Sequence, residues 1–360
     1  LNETLRAGNV RAMKFFSALT ILFFLFCVSS SHAVFINGQN YVSLTDFARN
    51  NNFHATFLNR EIILSNKNSR LVFDADSAQS QINGINVRLS FPVANAKGVA
   101  LISQLDLDTA IKPLIFPQKI FIKKITTICL DPGHGGKDSG NRVGFGFFGH
   151  SEKTYTLALA LELRDQLKKL GFNVILTRNG DNFVELPVRP AIANKIGADL
   201  FISLHFNATQ TGKSEVQGPE TYCITPIGAT SSNAHGEAGE FSSSIGTGPT
   251  IANRSEQKSL LLAYQMQKSL VQSLRVEDRG VRRARFAVLR DAQMTAILIE
   301  GGYMTHPTES KKIYDSAYRK QMATAIVKGI VAYQKLTMPP IPPPLAAPNT
   351  NKVSNVKKAK

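Results

Sequence analysis

Apolar positions along the chain fall into two regimes that meet at Pro113 and Pro117. Before that boundary, short apolar segments are punctuated by Asn-Gly. Ile36-Asn37-Gly38 precedes Tyr41-Val42-Ser43-Leu44, and Ile82-Asn83-Gly84 precedes Val87 and Leu89. Asn-Gly between apolar segments predicts a tight hairpin, because both turn residues accept positive φ. Helical stretches follow, through Asp46, Phe47 and Ala48 and again through Leu105, Leu107 and Ile111 after Leu101-Ile102-Ser103. Residues 34–117 therefore read as a small β-rich domain of two related strand–turn–strand–helix units.

Beyond the boundary, buried-strand runs alternate with helical periodicity, the pattern of a layered α/β domain over 120–336. Ile125–Leu130, Val174–Leu176, Leu200–Leu204 and Ala296–Ile299 are continuous apolar runs. Such runs predict a central, mostly parallel sheet covered by helices on both faces. Tyr155–Leu170, Arg189–Lys195, Leu260–Leu274 and Ala317–Tyr333 carry the helical period. Residues 226–254 break the rhythm with Gly, Ser, Thr and Ala and read as a flexible insertion. Residues 337–360, rich in Pro and Lys, read as a disordered tail.

The start of the chain changes the compartment. From Met13 it reads Lys14, an apolar run Phe15–Val28, then polar residues to Ser31-His32-Ala33. That is the layout of a secretory signal peptide over 13–33, cleaved after Ala33, which leaves no stable membrane span. Residues 1–12 precede this initiator. Cys27 lacks a small residue directly before it, against lipidation. Export permits a Cys129–Cys223 disulfide without requiring one, and a buried free thiol at Cys129 reads equally well. The composition, 43% hydrophobic and 19% charged, is that of a folded protein. A net charge of +16 predicts attraction to anionic surfaces. Export and the lack of any nucleic-acid-binding motif favour cell-wall polymer over nucleic acid.

Candidate chemistry sits just past the ends of the predicted strands, where α/β folds place their sites. His134 stands in Asp131-Pro132-Gly133-His134-Gly135-Gly136, and His205 closes Leu200–Leu204. Glu300 closes Ala296–Ile299, and Glu152 opens the long helix. A glutamate directly after four apolar strand residues needs solvent or a charged partner to offset burial. Two imidazoles and a carboxylate suit a zinc ion with an open position, and a further carboxylate can manage protons.

On these residues the chain resembles the zinc-dependent N-acetylmuramoyl-L-alanine amidases that cut peptidoglycan. The matching blocks run in order over about 120–335. They are Leu130–Gly136 with Asp138 and Gly140, Glu152-Lys153, Thr177-Arg178 with Asp181, Leu186 and Arg189, and Ala193-Asn194. Ala198–Ala208, Gly218–Tyr222, Asp278–Val281, Val288–Arg290 and Glu300–Thr305 complete the set. The resemblance implies that Zn2+ is held by His134, Glu152 and His205, and that Glu300 is the general base and acid. It implies cleavage between N-acetylmuramic acid and L-alanine, in the periplasm or cell wall, in remodelling or daughter-cell separation. It also brings in an activator protein as a partner. Residues 34–117 resemble the small domain, related to the N-terminal domain of copper amine oxidases, that precedes some of these amidases.

Several residues stand beside that assignment. Asn207 and Glu220 read either as orienting groups or as structural ones, and Arg178, Asp181 and Arg189 as a polar scaffold. His306, where relatives often have Asn, reads as a surface histidine ahead of an extra metal ligand, and His150 as a solvated loop residue ahead of a competing ligand. Glu237 and Glu240 are the acids of the insertion that could reach a metal, in a segment with little amphipathic character. Two other classes compete. Ser255-Glu256-Gln257-Lys258 with Ser231-Ser232-Asn233 fits a penicillin-sensitive serine carboxypeptidase in outline, without Lys-Thr-Gly and in the wrong order. A non-catalytic cell-wall-binding protein would be expected to have lost one of the four site residues.

Overall fold

The computed structural model describes residues 33–117, 124–144, 149–210, 212–232 and 246–337. The segment read as a signal peptide, up to His32 with Cys27, the tail from 338, and Glu237 and Glu240 lie outside the described residues.

Strands β1 (Val34–Ile36) and β2 (Gln39–Ser43) form the first hairpin, with Asn37 and Gly38 at φ 48° and 81°. Ser43 caps helix α1 (Leu44–Asn50), its hydroxyl accepting from the Asp46 N–H. Five further strands form an antiparallel meander: β3 (His54–Leu58), β4 (Glu61–Ser65), β5 (Arg70–Asp74), β6 (Gln79–Ile82) and β7 (Ile85–Arg88). The second Asn-Gly turn, at φ 49° and 82°, joins β6 to β7. It is not, however, the partner of the first hairpin. That partner is β8 (Ala94–Ala96) and β9 (Val99–Ser103), joined by Lys97-Gly98 at φ 52° and 79°. A lysine at positive φ carries no turn signal of its own, so the repeat is displaced in the sequence reading. The two hairpins make one sheet in the order β1-β2-β9-β8. After β9, Ser103 and Asp106 cap a helical stretch of α2 (Gln104–Asp106), a π-turn (Leu107–Ile111) and α3 (Lys112–Ile115).

The remaining strands are β10 (Thr127–Pro132), β11 (Arg142–Val143), β12 (His150–Ser151), β13 (Asn173–Leu176), β14 (Leu200–Asn207), β15 (Glu220–Cys223), β16 (Val281–Arg283) and β17 (Thr295–Tyr303). An eleven-stranded sheet runs β13-β10-β14-β17-β15-β16-β7-β6-β5-β4-β3. Strands β13, β10, β14 and β17 are mutually parallel, β15 reverses against β17, and β15, β16 and β7 are again parallel. With the antiparallel meander beyond, the sheet as a whole is mixed.

The seam between β16 and β7 is made by one residue pair, Val281 with Val87. Side chains reinforce it. The Asn86 N–H donates to Asp278 at 2.7 Å, the Asn86 amide donates to the Asp278 carbonyl, and the Tyr264 hydroxyl donates to the Ile82 carbonyl. Residues 34–117 thus extend the sheet of the second region, and one apolar core runs through both, from Leu44 and Phe73 to Leu260 and Tyr333.

Helices α4 (Glu152–Lys169), α6 (Glu256–Leu274) and α9 (Ser316–Thr337) pack together on one face of the sheet. Ile128, Leu130, Ile202, Leu204, Ile297 and Ile299 point to that face. Their neighbours Cys129, Phe201, Ala296 and Leu298 point to the other, against α5 (Val188–Lys195) and α7 (Ala287–Arg290). Alternate residues enter opposite layers, both apolar, which is why these strands read as unbroken apolar runs. Cys129 and Cys223 are buried and unpaired, which closes the disulfide option.

Candidate metal centre

Strand ends set the site. Strands β14 and β17 place His205 and Glu300 opposite each other, and β15 places Glu220 opposite Glu300 from the other side. Three ionisable side chains thereby share one edge of three neighbouring strands. Beyond β10 the chain turns sharply, with the Gly133 N–H donating to the Leu204 carbonyl and His134 at φ 62°. A non-glycine residue in that left-handed region costs about 1 kcal/mol, a strain concentrated at functional sites. Glu152 is the first residue of α4 and is 1% exposed.

These side chains converge. Glu152 Oε2 lies 3.1 Å from His134 Nε2, and Glu152 Oε1 lies 3.0 Å from His205 Nδ1. One ligand atom from each of His134, Glu152 and His205 falls within 4.8 Å of the others. Among the described residues this is the one cluster of its kind. The Glu152 carboxylate is fixed by the Phe206 N–H, the Asn141 N–H and the Asn141 amide at 2.9–3.0 Å. His134 Nδ1 faces the Asp138 carboxylate at 2.9 Å, the arrangement that sets a ligating imidazole's tautomer.

Charge follows geometry. Burial opposes a charged His134, but the Glu152 and Asp138 carboxylates outweigh it and push its pKa up to about 10. His205, more deeply buried and repelled by His134, is pushed down. Burial would raise Glu152, yet the two imidazoles hold it below the ordinary carboxylate range. The pocket therefore favours one positive charge between Glu152 and the imidazoles, which a divalent cation supplies in place of the proton. Space agrees. A Cβ on Gly133 would lie 2.2 Å from the His205 ring, and one on Gly140 2.5 Å from His134 and 2.7 Å from Glu152 Oε2. The residues present fit a metal ion. Gly140→Ala, at φ 60°, is expected to lower metal affinity at least tenfold while the chain stays folded, read by metal titration and circular dichroism.

Glu300 differs from Glu152. It is buried, and its Oε2 has no hydrogen-bond partner among the described residues. Burial, then the carboxylates of Glu152 and Glu220, raise its pKa well above the usual range. Glu220 is already engaged. It accepts from Asn207, Tyr222 and Tyr303 and pairs with Arg282 at 2.7 Å. Asn207 and Glu220 therefore bond to each other and build the wall beside Glu300.

Arg178 and Arg189 are the buried polar scaffold the sequence suggested, while Asp181 is exposed. Arg189 binds Asp131 at 2.9 Å and donates to the His134 carbonyl, and Arg178 donates to the Pro132 and Gly133 carbonyls. Asp181 accepts from the Gly136 N–H and Lys153. His306 is not a surface residue. It is 7% exposed, and its Nδ1 accepts from the Glu309 N–H at the start of α8 (Glu309–Tyr314). His150 stacks on Tyr314 with ring centroids 3.7 Å apart, so it is no freely solvated loop residue either. Neither belongs to the metal cluster. Asp138 and Asn141 are functional positions whose roles the sequence left unread. A carboxylate four residues after a glycine-flanked histidine was the available signal.

The serine-enzyme alternative finds no support. No hydrogen bond links Ser255 to Lys258 among the described residues, Ser231 Oγ accepts from the Arg285 N–H, and Ser232 Oγ donates to the Arg283 carbonyl. Asn233 lies outside the described residues. The two ends of the 226–254 segment are held, Arg285 donating to the carbonyls of Pro226 and Gly248. No helix among the described residues is long and apolar enough to cross a membrane.

Comparison with known proteins gives the family of the chain. The family model described as N-acetylmuramoyl-L-alanine amidase matches residues 128–332. The uncharacterized protein YqiI of Bacillus subtilis is 35% identical over 58% of this chain and 84% of its own. The N-acetylmuramoyl-L-alanine amidase AmiC of Neisseria meningitidis is 35% identical over 57% of this chain, which spans only 52% of that protein. Among solved structures, the CwlD amidase of Clostridioides difficile in complex with the GerS lipoprotein is 27% identical, with TM-score 0.48, over 59% of this chain and 99% of that one. By the extent of the family match, which takes in His134, Glu152, His205 and Glu300, this chain belongs to the N-acetylmuramoyl-L-alanine amidases, a family of peptidoglycan hydrolases.

Proposed function

We propose that this chain hydrolyses the amide between N-acetylmuramic acid and the L-alanine of the stem peptide, with Zn2+ held by His134, Glu152 and His205. The observation that carries the reading is the contrast between two buried glutamates. Glu152 is saturated with donors inside a His–Glu–His cluster, while Glu300 stands beside it with Oε2 unengaged. A zinc ion bound there supplies Lewis acidity toward the amide carbonyl and its attacking water. Glu300, in its ionised form, takes a proton from the water and delivers it to the leaving amine nitrogen. Asp138 holds the His134 ring, and Glu220 keeps Glu300 flanked by negative charge.

The net charge of +16 supports residence at an anionic cell wall, and the signal-peptide pattern supports export to periplasm or wall. The reading includes a role in wall remodelling or daughter-cell separation, and a partner protein, as CwlD is solved with GerS. Residues 34–117, whose β3–β7 meander continues the sheet of residues 120–336, serve as a binding or spacing module beside that catalytic segment.

Digestion of purified peptidoglycan tests the reading. Free L-alanine amino termini are expected to appear with the wild-type protein, to vanish with a chelator, and to return with added zinc. Release that persists undiminished through complete metal removal would sink the zinc mechanism, and binding without any release would leave a wall-binding protein.

A further inference from the structure

On the β10 side of the cluster a cavity of about 400 Å³ opens directly onto His134 and His205. Its far wall is apolar, from Phe183, Leu186 and Val288. Lys137 stands at its rim, its ammonium 4.4 Å above the Phe183 ring. The other cations around the site are committed: Arg189 to Asp131, Arg178 to the backbone turn, Lys153 to Asp181. Lys137 makes no ion pair with any described residue, and its ammonium rests over the Phe183 ring. That is an exposed ammonium at the rim of a groove whose own carboxylates are Glu185 and Asp138, the latter already engaged by His134.

We propose that Lys137 is a specificity-determining residue, taking the free carboxylate of the second stem-peptide residue while the peptide lies along the Phe183–Leu186–Val288 wall. This rests on the amidase reading above. The chemistry fits at three points. The residue after L-alanine is a glutamate linked through its side chain, so its α-carboxyl is left free or capped as an amide. In an extended peptide that carboxyl lies roughly 7 Å from the scissile bond, on the scale of this cavity. An exposed lysine–carboxylate pair alone gains little, but a substrate seated in the groove excludes water from one side of it.

Two muropeptide substrates alike except at that position decide the matter, one with the α-carboxylate and one with the α-amide. Wild type is expected to prefer the carboxylate form, chiefly in KM. Lys137→Met is expected to lower the carboxylate-to-amide ratio of kcat/KM about tenfold. Lys137→Arg, which keeps the charge, is expected to restore most of the ratio. A ratio in Lys137→Met within twofold of wild type would overturn the proposal, as would equal losses on both substrates. Wild-type protein that cleaves neither substrate would overturn the amidase reading itself, a result distinct from loss of discrimination.

Discussion

Glu300→Gln is expected to lower hydrolysis by roughly 10²–10⁴-fold while the protein keeps its metal and its fold. The substitution is isosteric, so the strand register that sets His205 opposite position 300 is untouched. It removes a carboxyl whose Oε2 is unengaged and whose ionised form is opposed by burial and by Glu152 and Glu220. Thermal stability should therefore hold or rise slightly, since little native hydrogen bonding is lost. Glu152→Gln provides the contrast. Its two oxygens accept from Phe206 and Asn141 and face both imidazoles, so an amide there must turn a donor toward one of them. That variant should lose metal and activity together. Metal content, amine release and melting temperature measured on both proteins separate the roles. If Glu300→Gln lost metal, or kept full activity, the division between proton carrier and ligand would be wrong. Two carboxyl groups whose surroundings drive their pKa values apart are the expected signature of such a division.

Why the placement of these residues could be anticipated from the sequence, and other features could not, follows from the range of the forces involved. Local patterns were legible. The Asn37-Gly38 turn, the α4 period through Leu159, Leu163 and Leu167, and the apolar runs of β10, β14 and β17 each depend on near neighbours in the chain. Strand ends then located His134, His205 and Glu300, because parallel strands bring their carboxyl ends to one edge. Features made by distant pairing were not legible. The joining of β7 to β16 through Val87 and Val281 is reinforced by Asn86 with Asp278, 192 positions apart, and neither Asn86 nor Asp278 carries a local signal. The Lys97-Gly98 turn hid behind a residue that rarely takes positive φ. His306 looked exposed because its helix-capping bond needs α8 in place, and Leu170, assigned to the α4 period, lies one residue past the helix and is 57% exposed.

Arg189→Met is expected to be the most destabilising single change near the site, by about 3–5 kcal/mol. Arg189 is 1% exposed and pairs with Asp131, which is fully buried. Burial alone would raise the Asp131 pKa, but Arg189 and the Thr177 and Ser203 hydroxyls win and lower it. Removing the guanidinium leaves that carboxylate ionised in an apolar layer with only hydroxyl donors at 2.6 and 2.7 Å. It also frees the His134 carbonyl and leaves the Pro132 carbonyl to Arg178 alone, so the strained turn at His134 loses its clamp. Metal affinity should fall with stability, although Arg189 ligates nothing. Asp131→Asn in the Arg189→Met background should recover part of the loss, because the stranded charge is then gone. The sign of the pH effect is also set. A carboxylate whose folded pKa lies below its unfolded value of about 3.9 adds stability above that pH and loses it as pH falls through the lower one. Wild type and Arg189→Met should therefore differ most near neutral pH and converge in acid, as read by urea unfolding at each pH. A difference independent of pH would mean that packing of the Arg189 side chain, and not its charge, holds the His134 turn.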